Sequence, residues 1–307
     1  MSLLKDVQKY KKHPSNTYKN YYEIARSIYA EDKNLNVKDL PNLDDLKINE
    51  FNYANLGESI FPINNDYNLI MQDIVNFANT ALPTRGRLVP GHDPCARFFD
   101  GRELSSFGLD NHLHHLLGML IPSIEKHYAG CYVRPWYASM SRSIIRPPLP
   151  EDNDTTWSWH SDMVPQSAFK LFFYLTNVEE GCAPLTYLVD QNGNPVYRPG
   201  SDWGFIGRTD KEREELNPAR NDPSRVPISE INKLKEKGYK EKEVYLPAGS
   251  FLVWSPNYIH KASFAKVRTR DVIQVQLRPT TKKPESYWVG SLAQRNNQNQ
   301  YDWWGYD

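Results

Sequence analysis

The chain has 307 residues, with 37 Lys and Arg balancing 37 Asp and Glu, a predicted pI near 7.1 and a mean hydropathy of −0.67. Zero net charge leaves no basic footprint for nucleic acid and no electrostatic pull toward an anionic membrane surface, and no run of about 18 apolar residues is present to span a bilayer. Cys95, Cys131 and Cys182 are odd in number and lack C-x-x-C spacing, which speaks against a disulfide framework or a thiolate zinc site; with no secretory-type apolar core at its start, the chain is expected to be cytoplasmic.

Residues 1 to about 60, rich in Lys, Asn, Asp and Tyr, predict short helices and loops wrapped on a main body. Over residues 64–82, Tyr67, Leu69, Ile70, Ile74, Val75 and Phe77 recur at helical spacing, and Pro83 closes the predicted helix. A second helix is expected over 110–126, on the stripe Leu113, Leu116, Leu117, Leu120, Ile121 and Ile124. After Ala129 the texture changes to short β-branched and aromatic runs broken by Pro and Gly. Strands are predicted over 137–146, 156–162, 169–178, 185–189, 243–246, 251–255 and 272–277.

Seven or eight such strands predict a mainly β protein with flanking helices, a sandwich or jelly roll of the α+β class. The expected organisation is one compact domain. It has an N-terminal helical scaffold (1–128), a β core (129–280) with a polar insertion at 191–242 read as a lid, and an aromatic C-terminal tail (281–307).

The chemistry centres on Trp159-His160-Ser161-Asp162, followed 100 residues later by His260 and then by Arg270. In a strand, residues two apart share a face, so the His160 imidazole and Asp162 carboxylate project together. Two His and one carboxylate on one face of an octahedron leave three positions open, the pattern of non-haem Fe(II) oxygenases. A lone strand His is more often a satisfied core residue. Context strengthens the metal reading: a Gly-bounded strand follows at 180–185, and a Pro-Ala-Gly-Ser turn at 247–250 precedes the apolar strand that delivers His260.

Four blocks, TWSWHSD, KLFFYLTNVEEGCAPLTYL, LPAGSFLVWSPNYIHKAS and TRDVIQVQLRP, resemble the phytanoyl-CoA dioxygenase-like (PhyH) branch of the Fe(II)/2-oxoglutarate-dependent oxygenases, over roughly residues 130–280 without the insertion. The resemblance implies a double-stranded β-helix with His160, Asp162 and His260 as iron ligands and 2-oxoglutarate and O₂ as cosubstrates. It also implies release of succinate and CO₂ as a small-molecule C–H bond is oxidised. Arg270 matches the family Arg that pairs with the distal carboxylate, a task suited to a planar guanidinium fork; Arg268 is its rival. Relatives commonly carry a Ser two residues after the second His, where this chain has Ala262, and Ser263 follows one position later. A carboxylate at Asp162 argues for hydroxylation over halogenation, since halogenases of this fold place Ala or Gly there.

Lys170, in phase with Phe172 and Tyr174, points either into the barrel toward an anionic cosubstrate or outward to solvent. Arg142 and Arg146 share a face that either lines the cavity and favours an anionic substrate or carries a salt bridge at the rim. Trp254 and Tyr258 flank the approach to His260, as borders of the site or as core. Trp157 and Trp159 alternate out of phase with His160 and are expected to pack away from it, and His112, His114 and His115 read as a solvated cluster. Two alternatives stand beside the small-molecule oxygenase: a protein- or peptide-residue hydroxylase, and a non-catalytic cupin-like metal-binding protein.

Overall fold

The computed structural model describes residues 14–42, 48–51, 60–61, 64–89, 93–145, 157–162, 168–197, 225–226, 228–284 and 287. Arg146, the middle of the expected insertion (198–224) and the tail from 288 onward lie outside these residues. Among the described residues, no helix is long and apolar enough to cross a membrane.

Two antiparallel sheets form the centre. The larger is built from β1 (Asn49–Phe51), β2 (Arg87–Val89), β3 (Asp93–Asp100), β4 (Val133–Ser143), β5 (Phe169–Tyr174), β8 (Phe251–Trp254) and β10 (Arg270–Pro279), in the order β1-β8-β5-β10-β4-β3-β2. The smaller has the order β7-β6-β9, from β6 (Leu185–Val189), β7 (Lys240–Val244) and β9 (His260–Ala262). Between them lies an apolar interior made by Phe172, Tyr174, Trp254 and Val272 from the large sheet and Leu185, Tyr187, Val189 and Val244 from the small one. The opposite face of the large sheet, with Leu171, Phe173, Val253, Ile273 and Val275, packs against helices in a second cluster. Strand alternation thus sorts every core strand into an interior row and a helix-facing row.

Among the described residues the α-helices are α1 (Pro14–Lys33), α2 (Asn65–Arg85), α3 (Gly101–Ser106), α4 (Asp110–Ile124) and α5 (Ile228–Glu236). Within the described residues of the N-terminal stretch, a 20-residue helix is followed by a short 3-10 turn, Val37–Asp39. The helix buries Tyr22, Ala25, Tyr29 and Ala30, the spacing of a single helical face, although its mixed composition hides the stripe. Tyr22 Oη donates to Ala129 O at 2.7 Å, and Arg26 Nη2 donates to Val37 O and Leu40 O at 3.0 and 2.9 Å. Helix α2 runs past Pro83 to Arg85, and Thr84 Oγ1 donates back to Thr80 O at 2.8 Å.

Helix α4 passes into a π-turn, Glu125–Ala129, ending at Gly130 with φ 64°, where a Cβ would stand 2.6 Å from Pro41 O. The left-handed turn and the close approach both require glycine there. Strands β1 to β3 lie outside the predicted set: β1 and β2 are three residues each, too short to show alternation, and Pro94 interrupts the β3 run. From the expected insertion, α5 packs Ile231 with Trp159, Leu188 and Ile259 on the outer side of the small sheet, and residues 240–244 form that sheet's edge.

Glu125 is 1% exposed, and its Oε1 accepts the Val133 amide at 3.1 Å. Burial pushes its carboxyl from 4.5 up to about 7, against the pull of Val133 N–H, Lys33 and Lys283. A folded value above the unfolded one means that the native state holds the extra proton. Stability is therefore full below about pH 4.5 and is lost as pH rises toward about 7, by roughly 3 kcal/mol in all. Chemical denaturation at about pH 5 and about pH 8 should show this loss in the wild type and a much flatter profile in Glu125→Gln.

Candidate metal centre

The predicted strand at 156–162 does not form. His160 instead makes isolated bridges, one to His260 and one to Arg225. β9 pairs with β6 along all three of its residues, and toward the 157–162 segment it makes a single bridge, at His260. That bridge is held firmly: His160 N–H donates to His260 O at 2.9 Å and His260 N–H donates to His160 O at 2.8 Å. Asp162 N–H donates to Pro256 O at 2.8 Å, pinning the other end of the segment.

His160, Asp162 and His260 each offer a ligand atom, all within 4.8 Å of one another. Asp162 Oδ1 lies 3.5 Å from His160 Nε2 and 3.6 Å from His260 Nε2. The outer nitrogens are fixed alike, His160 Nδ1 to Ser158 O at 2.8 Å and His260 Nδ1 to Tyr258 O at 2.7 Å. A carbonyl only accepts, so each Nδ1 carries the proton and each Nε2 turns a lone pair inward. Burial lowers both imidazoles, that of His260 well below 6.5 and helped by His160. Burial also pushes the Asp162 carboxyl upward, but Lys170 and the two imidazoles outweigh it and hold it at about 2. At neutral pH the triad therefore offers two neutral nitrogens and one anionic oxygen, a donor set that fits a divalent first-row metal.

Lys170 points inward, and its ammonium sits on Asp162 Oδ2. Its Nζ lies 5.4 Å from the Trp254 ring centroid, and that indole meets His260 edge-on at 4.7 Å. Trp254 thus walls the site, whereas Tyr258 belongs to the interior core and serves the site through its carbonyl.

Arg270 opens β10 on its interior row, in phase with Val272, and is 7% exposed. Tyr174 stands opposite Val272, and Ser250 lies beside it, joined by Tyr174 N–H to Ser250 O at 2.9 Å. The turn before Ser250 needs Gly249 at φ 87° and is braced by Tyr67 Oη donating to Gly249 O at 2.8 Å. Tyr174 Oη and Ser250 Oγ are buried hydroxyls that meet no hydrogen-bond partner among the described residues. Each such group costs about 1–3 kcal/mol. Burial pushes the Tyr174 hydroxyl up against the pull of Arg270, so it remains a donor. Two buried hydroxyls without a partner among the described residues, that of Tyr174 within electrostatic reach of the Arg270 guanidinium, offer donors to a carboxylate.

Three candidate residues do not face the interior: Arg268 and Ser263 are corrected, and for Arg142 the salt-bridge alternative is the one that holds. Arg268 precedes β10 in a bend and pairs with Glu179 on the surface, its side chain 57% exposed, so it is no rival to Arg270. Ser263 turns to the outer side of the small sheet, where its Oγ lies 2.5 Å from Thr186 Oγ1, while interior-facing Ala262 brings no donor. Arg142 lies on the helix-facing row, bonded through Nε and Nη2 to Asp271 Oδ1 and Oδ2 at 2.7 and 2.5 Å, and does not line the cavity. Tyr174 and Ser250 escaped the sequence reading, since only the register of β5, β8 and β10 places them beside Arg270.

No family model and no curated protein matches the sequence. Solved structures do: the non-haem α-ketoglutarate-dependent carbocyclase SnoK from nogalamycin biosynthesis is similar at 11% identity over 80% of this chain and 84% of that one, with a TM-score of 0.47. The epimerase SnoN, crystallised with Fe3+, α-ketoglutarate and nogalamycin RO, gives 14% over 73% and 79%, with a TM-score of 0.45. HygX from Streptomyces hygroscopicus, with nickel, 2-oxoglutarate and hygromycin B bound, gives 12% over 78% and 85%, with a TM-score of 0.35. At such identities the function of this chain rests on its own side chains.

Arg142 and Arg268 should separate cleanly in stability. Arg142→Ala strands the fully buried Asp271 carboxylate and should cost about 3 kcal/mol, whereas Arg268→Ala should stay within about 0.5 kcal/mol, both read from urea denaturation midpoints.

Proposed function

We propose that the chain is a non-haem Fe(II)- and 2-oxoglutarate-dependent oxygenase that hydroxylates, or otherwise oxidises, a C–H bond of a small molecule. In this reading the two sheets form a double-stranded β-helix of the phytanoyl-CoA dioxygenase-like kind. Residues 1–128 serve as its scaffold, 129–280 as its core and 281–307 as its tail. The observation that carries the proposal is the pairing of two sites in one interior: a triad with its lone pairs converged, and a buried Arg270 with two buried hydroxyls that meet no partner among the described residues. A metal site with only a structural role has no use for the second.

His160, Asp162 and His260 would hold Fe(II) with two neutral nitrogens and one carboxylate oxygen, already ionised and already in the right tautomer. Arg270, Tyr174 and Ser250 would hold the distal carboxylate of 2-oxoglutarate, the guanidinium by charge and the hydroxyls by donation. Bound together, these groups supply dioxygen activation, with succinate and CO₂ as co-products. Trp254, Phe172, Leu185 and Tyr187 line the interior and exclude water from the reacting groups.

The test is an anaerobic titration of the apoprotein with Fe(II) and then 2-oxoglutarate, watching for the visible charge-transfer band of an iron-chelated keto acid. The band should form in the wild type and be absent in His160→Ala. Arg270→Leu should weaken 2-oxoglutarate about 100-fold, and Tyr174→Phe about 10-fold. Iron uptake without a band would overturn the oxygenase in favour of a cupin-like metal-binding protein.

A further inference from the structure

Lys170 is an unusual neighbour for a metal ligand. Its side chain is 10% exposed, it rises from the interior row of β5, and its ammonium meets Asp162 on Oδ2, the oxygen that neither imidazole addresses. The other oxygen, Oδ1, is nearly equidistant from the two Nε2 atoms, at 3.5 and 3.6 Å. The carboxylate is thus divided, one oxygen toward the triad and one toward the cation. The cation cannot drift, because its stem is buried and its head lies against the Trp254 ring, which in turn abuts His260.

We infer that Lys170 is a positioning residue that occupies Asp162 Oδ2 and thereby compels Asp162 to meet the metal through Oδ1 alone. This rests on the metal reading above and adds to it a reason for the number of open positions. A carboxylate of this kind readily chelates through both oxygens. An octahedral ion held by three protein atoms keeps three positions, and one held by four keeps two. A keto acid bound through two atoms, together with dioxygen, requires three. Lys170 also sets a positive charge close to the ion, so it keeps the site open at the expense of affinity. That sign separates the inference from a merely structural Lys, whose removal would loosen the triad and weaken metal uptake.

Mn(II) alone is the probe, added to the full-length apoprotein. Two readouts besides activity apply: water-proton relaxivity, which reports the waters on the ion, and the metal-minus-apo infrared difference spectrum of protein labelled with 13C in its Asp carboxyls. The wild type should show the wide carboxylate splitting of one-oxygen coordination. Lys170→Met should bind Mn(II) about tenfold more tightly, lose about a third of the relaxivity and shift to the narrow splitting of a chelate. Retention of full relaxivity and wide splitting in Lys170→Met would overturn the inference and leave the metal reading intact. So would weaker Mn(II) binding by a variant whose circular dichroism matches the wild type. Should Lys170→Met fail to fold, the wild-type infrared spectrum decides alone, narrow splitting overturning the inference. A wild type that takes up no more Mn(II) than His160→Ala overturns the metal reading and this inference with it.

Discussion

Everything chemical in this protein depends on the pair of hydrogen bonds that His160 and His260 exchange through their backbones, at 2.9 and 2.8 Å. The two residues are 100 positions apart, and closing so long a loop on a single contact carries an entropic cost that the bridge alone does not offset. The cost is met by the small sheet, where His260 also pairs with Tyr187 and the following residues continue the ladder with Leu185 and Thr186. His160 is therefore docked onto a strand edge that is already rigid. Each imidazole is then oriented by a carbonyl two residues upstream, so backbone geometry fixes the tautomer as well as the position of both rings.

The large sheet does the complementary work from the opposite wall. Its interior row brings Lys170 and Trp254 to the triad and, further along, sets Tyr174 near Arg270, with Ser250 bonded to the Tyr174 backbone. The helix-facing row holds that wall in place through Phe173, Phe251, Ile273 and Val275, packed against α2 and α4. One polar pair interrupts this apolar face: Asp271, adjacent to Arg270 and wholly buried, is gripped by Arg142 from β4. Strand alternation sends the two neighbours to opposite sides, so an ion pair on the helix side anchors the backbone from which the interior guanidinium extends.

What was legible in the sequence follows the same division. The His160 and Asp162 spacing and the His260 and Arg270 positions are local patterns, as are the strands expected over 169–178, 185–189 and 251–255, which form as 169–174, 185–189 and 251–254; His160, Asp162 and His260 come together, but isolated bridges rather than a strand hold His160. The strand drawn through Asp162 failed because strand propensity says nothing about whether a partner exists for more than one residue. The faces of Arg142, left open between cavity and salt bridge, and of Ser263 were not legible for a related reason. Deciding which face of a strand is interior requires knowing which sheet it joins, and in both cases the partner side chain, Asp271 or Thr186, is far away in the chain. Tyr174 and Ser250 carry no motif at all. Their meaning comes from a cross-strand register that only folding supplies.

The charges of the interior connect its two halves. Lys170 and Arg270 are buried cations, Asp162 is a carboxylate held ionised, and both imidazoles are driven toward the neutral form. A divalent ion and a dicarboxylate entering together leave the interior charge unchanged, whereas either alone shifts it by two charges in a region of weak screening. Under the proposed reading, metal and cosubstrate therefore favour one another's binding even before any bond forms between them. That coupling is reciprocal. The two binding events are then linked through charge as well as geometry: a divalent ion already bound favours the dicarboxylate, and the reverse holds equally.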